Sequence, residues 1–212
     1  DKLTNALNMP ISDLAKLKEI QPFLDLAEML GQIQFQIAKG PISHISIECY
    51  GTADETKPIS LACIKGLLQS QVPERINYIN AESIAQELGL EIDIHYSTVK
   101  SSYINLISTK VTINKTVYKL DGSVFDDHRP RLVNILGREM EVTPRGTLLL
   151  VENNDVPGVI GNVGTLLGNL NINIAAYLLN RSGEEGKAFA VIRADNRLSN
   201  DDLNKLSEIQ DI

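Results

Sequence analysis

Asn153, Asn154 and Asp155 stand immediately before Pro157-Gly158, at the end of the apolar run Thr147–Val151. A helix starting near Pro157 presents unsatisfied N–H groups and the positive end of its dipole, which favour an anion, while the Asp155 carboxylate favours a cation. Both charges occur on one carbon in a free amino acid. Its carboxylate could accept from the turn's backbone N–H groups, and its ammonium could donate to Asp155 and the amides of Asn153 and Asn173. A second reading stays open on the same residues, in which Asn and Asp only form the turn and Asp155 caps the helix.

The elements around this stretch follow from pattern. Thr147–Val151 fits a buried strand, and Pro157 suits the first position of a helix. Val159, Val163, Leu166, Leu167 and Leu170 recur at helical spacing, with Gly158, Gly161, Gly164 and Gly168 on one side. Each glycine costs a helix roughly 1 kcal/mol relative to alanine, so the stripe implies close approach to a sheet, a partner subunit or a ligand. Ile172–Asn180 and Ala188–Ala194 read as strands joined by the loop Ser182–Lys187, and Ser199 as the N-cap of a last helix, Asp201–Ile209. The order from Gly146 is β-α-β-β-α, one strand short of βαββαβ.

Upstream, Ser12 is an N-cap candidate, and helical spacing runs from there to Ile20 and again from Pro22 to Ala38, with Pro22 splitting or restarting the helix. His44–Tyr50 alternates Ile45, Ile47 and Cys49 against polar residues, as a half-buried strand does. Ile59–Leu68 reads as a helix, Ile76–Ile79 as a short extended piece, and Ala81–Leu88 as a helix closed by Gly89. Glu91–Ser97, Ile104–Ile113 and Thr116–Phe125 read as strands, the last two joined by a tight Asn114-Lys115 turn. Arg131–Leu136 and Glu139–Val142 form a second hairpin, and Thr143–Gly146 connects two domains.

The chain has 212 residues, 43% hydrophobic and 22% charged, with formal net charge −7. This composition is that of a globular protein, and it disfavours nucleic acid, whose phosphates need clustered Lys and Arg. No run approaches the roughly eighteen apolar residues of a membrane span, and the N-terminus lacks a signal pattern, so a cytoplasmic protein without membrane attachment is expected. Cys49 and Cys63 fit neither zinc nor redox spacing. The glycines lack G-x-G-x-x-G, no phosphate loop or nucleophile elbow exists, and His44, His95 and His128 are scattered. No catalytic, cofactor or metal site is expected within the segment. Arg129, Arg131, Arg138 and Arg145 cluster near the domain junction, either as an anion site or as surface charge balancing an acidic chain.

Asn153 to Gly161, with Val163–Gly168 and Ile172–Ala175, resembles the ACT domain at the C-terminus of the D-3-phosphoglycerate dehydrogenases. Pro41–Val142 resembles that family's intervening, allosteric substrate-binding domain, notably over Ala62–Leu68, Val72–Ala81 and Pro130–Gly137. Asn5–Pro10 resembles the last stretch of the catalytic half. The resemblance implies an α+β chain: 1–40, the end of the catalytic-half connection with linking helices; 41–145, an α/β intervening domain with a mixed sheet; and 146–212, a ferredoxin-like ACT domain lacking its last strand. It implies a parent enzyme that oxidises 3-phosphoglycerate with NAD as the first step of L-serine biosynthesis, the NAD and catalytic residues lying before Asp1.

It further implies homo-oligomers formed through ACT domains, with L-serine bound between them for feedback control. The family's serine contacts fall on Asn153, Asp155 and Asn173, with Val156, Pro157, Gly158, Val159, Ile160 and Ile174 around them. Asn153 stands where relatives carry other polar residues, including His or Tyr. An anion such as the phosphorylated substrate falls to Arg131 and Arg193; Arg145 only neighbours a third position, occupied here by Thr143. Two other classes stay open: a ligand-free oligomerisation module, and the regulatory domain pair of an iron–sulfur L-serine dehydratase, against which the absence of cluster-type cysteines weighs.

Overall fold

The computed structural model describes residues 14–38, 40–73, 75–99, 101–181 and 185–212. The Asp1–Pro10 tail, the Ser12 cap and the first half, 182–184, of the Ser182–Lys187 loop lie outside them. The chain forms two compact units, 1–137 and 138–212.

In the first unit, helix α1 (Leu14–Ile37) precedes strand β1 (His44–Gly51), helices α2 (Thr56–Leu68) and α3 (Ala81–Glu87), and strands β2 (Glu91–Ser97), β3 (Asn105–Ile113), β4 (Thr116–Val124) and β5 (Pro130–Ile135). The sheet order is β2-β1-β3-β4-β5, and β6 (Arg138–Val142), after the Leu136-Gly137 turn, opens the second unit. β2 runs parallel to β1 and the other pairs among β1 to β5 are antiparallel, so the sheet is mixed. The β1 alternation is realised, with Ile45, Ile47 and Cys49 fully buried. Asn114 and Lys115 both take positive φ, 47° and 72°, as a two-residue hairpin turn requires.

Two expectations fail here. Pro22 does not split the first helix, because α1 runs unbroken through it. A proline removes one backbone hydrogen bond, at about 3 kcal/mol, whereas burying Leu24, Leu26 and Leu30 returns roughly 1.5–3 kcal/mol each. Ile76–Ile79 is not extended either, since its second half is a turn. The Asn77 side-chain oxygen accepts from the Ile79 and Asn80 N–H groups, and Asn80 Oδ1 accepts from the Asn77 N–H. Side-chain bonds of this kind outcompete a ladder for a short segment.

Helix α2 is buried almost all round, because α1 crosses it at backbone contact. A Cβ on Gly31 would meet the Cys63 carbonyl at 2.0 Å, and one on Gly66 would meet the Glu28 carbonyl at 2.0 Å. Gln34, fully buried on α1, donates from Nε2 to the Thr109 carbonyl and hydroxyl and to the Tyr118 carbonyl.

The second unit continues from β6 with β7 (Thr147–Asn154), α4 (Val159–Asn169), β8 (Ile174–Asn180), β9 (Lys187–Ala194) and α5 (Asn200–Ser207). The strands form an antiparallel sheet in the order β7-β9-β8. These are the first five elements of βαββαβ, so the chain is α+β. Val151, Ala190 and Ile192 of the sheet form one core with Val159, Val163 and Leu167 of α4 and Leu206 of α5. Ser199 caps α5 in a reciprocal capping box with Asp202. That bonding holds the Asp202 carboxyl below its ordinary value.

The start of α4 differs from expectation. The helix begins at Val159, after Gly158 at φ 100°, so Pro157 belongs to the turn. Gly158 occupies a left-handed position that other residues rarely adopt. Gly161, Gly164 and Gly168 approach nothing: a Cβ at any of them would meet no described atom within 4 Å. The sheet is thereby removed as the reason for the stripe. Among the described residues no helix is long and apolar enough to cross a membrane.

Candidate functional site

The candidate residues sit on the strand ends of the second unit, and register fixes their places. Asn153 and Asn154 close β7 opposite Ala188 and Lys187 of β9. Asn153 is 6% exposed; its Nδ2 donates to the Asn154 carbonyl at 2.6 Å, and its Oδ1 finds no partner among the described residues. The Asp155 N–H donates to the Gly186 carbonyl. The Asp155 carboxylate does not cap α4; it accepts from Arg181 Nε at 3.1 Å. Val156 and Ile160 are 44% and 50% exposed, whereas Val159 is buried in the core. The Asn162 N–H donates to the Gly158 carbonyl as the first turn of α4 closes, so the preceding N–H groups lie at a free helix start.

Asn173 occupies the other end of the sheet. It precedes β8, donates from Nδ2 to Asp195 at 2.6 Å, and accepts the Asp195 N–H at its carbonyl. Ala194 is opposite both Thr147, at the start of β7, and Ile174, at the start of β8. Asn153 and Asn173 are therefore separated by the length of β9 from Ala188 to Asp195, on the order of 20 Å at about 3.3 Å per residue. One copy brings Asn153 and Asp155 together and leaves Asn173 out of reach of any single amino acid held by them.

The model of the D-3-phosphoglycerate dehydrogenase intervening domain matches residues 19–136, more than half of the chain. The chain belongs to this family. Over 98% of its length it is 30% identical to D-3-phosphoglycerate dehydrogenase of Bacillus subtilis and 30% identical to that of Methanocaldococcus jannaschii, covering 40% of each. The Synechocystis enzyme is 28% identical over 98% of the chain and 38% of the relative. The chain thus spans about two fifths of the length of the curated relatives it matches.

In the intervening domain, Arg131 is paired with Asp127 at 3.3 Å and its guanidinium lies 5.5 Å from the Phe125 ring centroid. Burial would raise the Asp127 carboxyl, but the Arg129 backbone N–H and the Arg131 guanidinium outweigh it and hold the group below its ordinary value. Arg193 lies half-buried on β9, opposite Leu148 and Ala176. Arg138 belongs to the second unit, pairs with Glu152 at 2.7 Å and lies 4.4 Å from the Phe189 centroid. It borders a cavity of about 310 Å³ with Asn153, Asn154, Lys187 and Asp211. There Lys187 donates to Asn154 Oδ1, and Asn154 Nδ2 donates to Asp211.

Three participants escape sequence reading: Arg181, Asp195 and the Gly186 carbonyl. Arg181 carried a signal, since it follows the end of β8, at the sheet end where β7 also ends. Cys49 and Cys63 are buried free thiols, with burial pushing Cys49 up to about 12 and Cys63 higher still. Neither has thiolate character at neutral pH.

Proposed function

We propose that the chain is the regulatory C-terminal part of a D-3-phosphoglycerate dehydrogenase, whose parent polypeptide oxidises 3-phosphoglycerate with NAD and opens L-serine biosynthesis. L-Serine binds between two ACT domains related by a two-fold axis. Asp155 and Asn153 of one copy take the ammonium side, the free N–H groups at the head of α4 take the carboxylate, and Asn173 of the second copy closes the site. Val156, Pro157, Gly158, Ile160 and Ile174 surround the ligand, with Val159 anchoring the turn in the core.

The observation that carries this reading is the separation of Asn173 from Asn153 along β9. Two antiparallel copies restore their proximity, and an isologous arrangement makes two equal sites. The open glycine face of α4 and exposed Ile160 suit a helix that meets a second copy. Serine then shifts the balance between arrangements only through tighter binding to one of them. Arg131 and Arg193 each offer a guanidinium to an anion such as the phosphorylated substrate, to be tested by separate substitutions.

A ligand-free assembly module is the second reading. It draws on the ion pair of Asp155 with Arg181 and the bond of Asn173 to Asp195, which satisfy both polar groups without a ligand. Isothermal titration with L-serine separates the two. Heat at millimolar serine that disappears in Asp155→Ala supports regulation; no heat from a folded, dimeric chain leaves the assembly module.

A further inference from the structure

Strand β2 is an edge of the sheet: among the described residues no further strand pairs with it. It lies last in the sheet order and pairs with β1 in unbroken register; its sequence EIDIHYS holds neither proline nor lysine, and its two carboxylates, Glu91 and Asp93, fall on alternate residues, leaving Ile92, Ile94 and Tyr96 uncharged. Proteins blunt open edges with proline and charged residues, with bulges or with a covering element. Ile92 and Ile94 remain only half-buried, and Tyr96 is 46% exposed.

The direction of the free edge groups follows from one bond. The Glu91 N–H donates to the Ser43 carbonyl at 2.8 Å. Because alternate residues of a strand turn their N–H and C=O to opposite sides, Glu91, Asp93, His95 and Ser97 bond towards β1, and Ile92, Ile94 and Tyr96 offer theirs outward. From this pattern we infer that β2 pairs antiparallel with β2 of a second copy, about a two-fold axis through Ile94. That register sets Ile94 against Ile94 and Ile92 against Tyr96, each pair exchanging both backbone bonds.

The same register sets Asp93 against His95 twice, in the closer, non-hydrogen-bonded positions where cross-strand side chains interact most. Asp93 is 61% exposed at its side chain, where His44 donates to one oxygen at 2.9 Å. His95 is exposed, with Glu48 beside it on β1. Neighbouring registers are worse. A two-fold at Asp93 would oppose two carboxylates, and one at His95 would oppose two imidazoles and shorten the ladder. The interface lies in the intervening domain and is independent of the serine site.

Cysteine cross-linking in the whole chain tests the register. Residues 93 and 95 of opposite copies should have Cα atoms about 4.5 Å apart, within disulfide range, while like positions lie too far apart. An equal mixture of Asp93→Cys and His95→Cys should therefore oxidise to a covalent dimer, and neither variant alone should. No cross-link in the mixture, with both variants folded, overturns the proposal, and equal cross-linking of a single variant overturns the register. Hydrogen exchange gives a second readout on the unmodified chain: the amides of Ile92, Ile94 and Tyr96 should be protected when concentrated and exposed on dilution, in Asp155→Ala as in the parent. Fast exchange of these amides at every concentration overturns the pairing.

Discussion

Replacing Gly31 by alanine adds one methyl group where α1 crosses α2, and the geometry sets the sign of the outcome. The new Cβ would lie 2.0 Å from the Cys63 carbonyl oxygen and 2.7 Å from the Leu67 nitrogen, against 3.4–4 Å for ordinary contact. Both obstacles are backbone, so no rotamer change relieves them and the helices must part by more than about 1 Å. Alanine returns roughly 1 kcal/mol of helix propensity. Overpacking in a close-packed core costs about 1–3 kcal/mol, and a backbone obstacle belongs at or above the top of that range. The expected net loss is about 2 kcal/mol, or roughly 4–8 °C in midpoint for a chain of this size. Gly164→Ala is the control, because its Cβ meets nothing within 4 Å; at dilutions where the chain is monomeric it should gain up to about 1 kcal/mol. Urea unfolding followed by far-ultraviolet circular dichroism measures both. An unchanged or raised midpoint for Gly31→Ala would refute the close crossing of α1 and α2.

Three further outcomes follow from the same geometry. Arg181→Ala should leave stability within about 1 kcal/mol, since its pair with Asp155 is largely exposed, and should tighten serine several-fold in calorimetry by freeing that carboxylate; weaker binding would give Arg181 a part in holding the ligand. The lowered Asp202 carboxyl contributes stability that is present above the ordinary carboxylate pKa and lost as pH falls through the folded value. The thermal midpoint should accordingly fall less between about pH 5 and pH 3 in Ser199→Ala than in the parent, and parallel curves would contradict the capping box. Cys49 and Cys63, buried with raised thiols, should react with a disulfide reagent at pH 8 only as fast as the first unit opens, and immediate reaction would contradict their burial.

Where periodicity meets a single layer, pattern and structure agree. Ile45, Ile47 and Cys49 alternate into the core, the Asn114-Lys115 turn joins β3 to β4, and Ser199 starts α5. The misreadings share a physical cause, in that a local rule was outweighed by something distant or by a side-chain bond. Pro22 is carried through by the packing of α1, and Asn77 and Asn80 fold their own backbone into a turn. Gly158 at positive φ delays the start of α4 past Pro157, and Asp155 turns to Arg181 rather than to the helix. Of the three reasons the α4 glycine stripe offered, the sheet is removed, while Gly31 and Gly66, outside any such stripe, carry the backbone contact between α1 and α2. The separation of Asn173 from Asn153 was within reach of the β-α-β order, because a parallel crossover starts its second strand at the far end of the sheet.

That separation supplies the most direct test of a site shared between copies. Asp155→Ala and Asn173→Ala are each prepared as a folded dimer, titrated with L-serine alone, then mixed in equal amounts, re-equilibrated and titrated again. Each variant alone should bind nothing. In the mixture about half of the dimers pair the two variants, and each of these holds one intact site, so binding should return at about one quarter of the parent stoichiometry. A mixture as silent as its components, while the parent chain binds serine, would contradict the account.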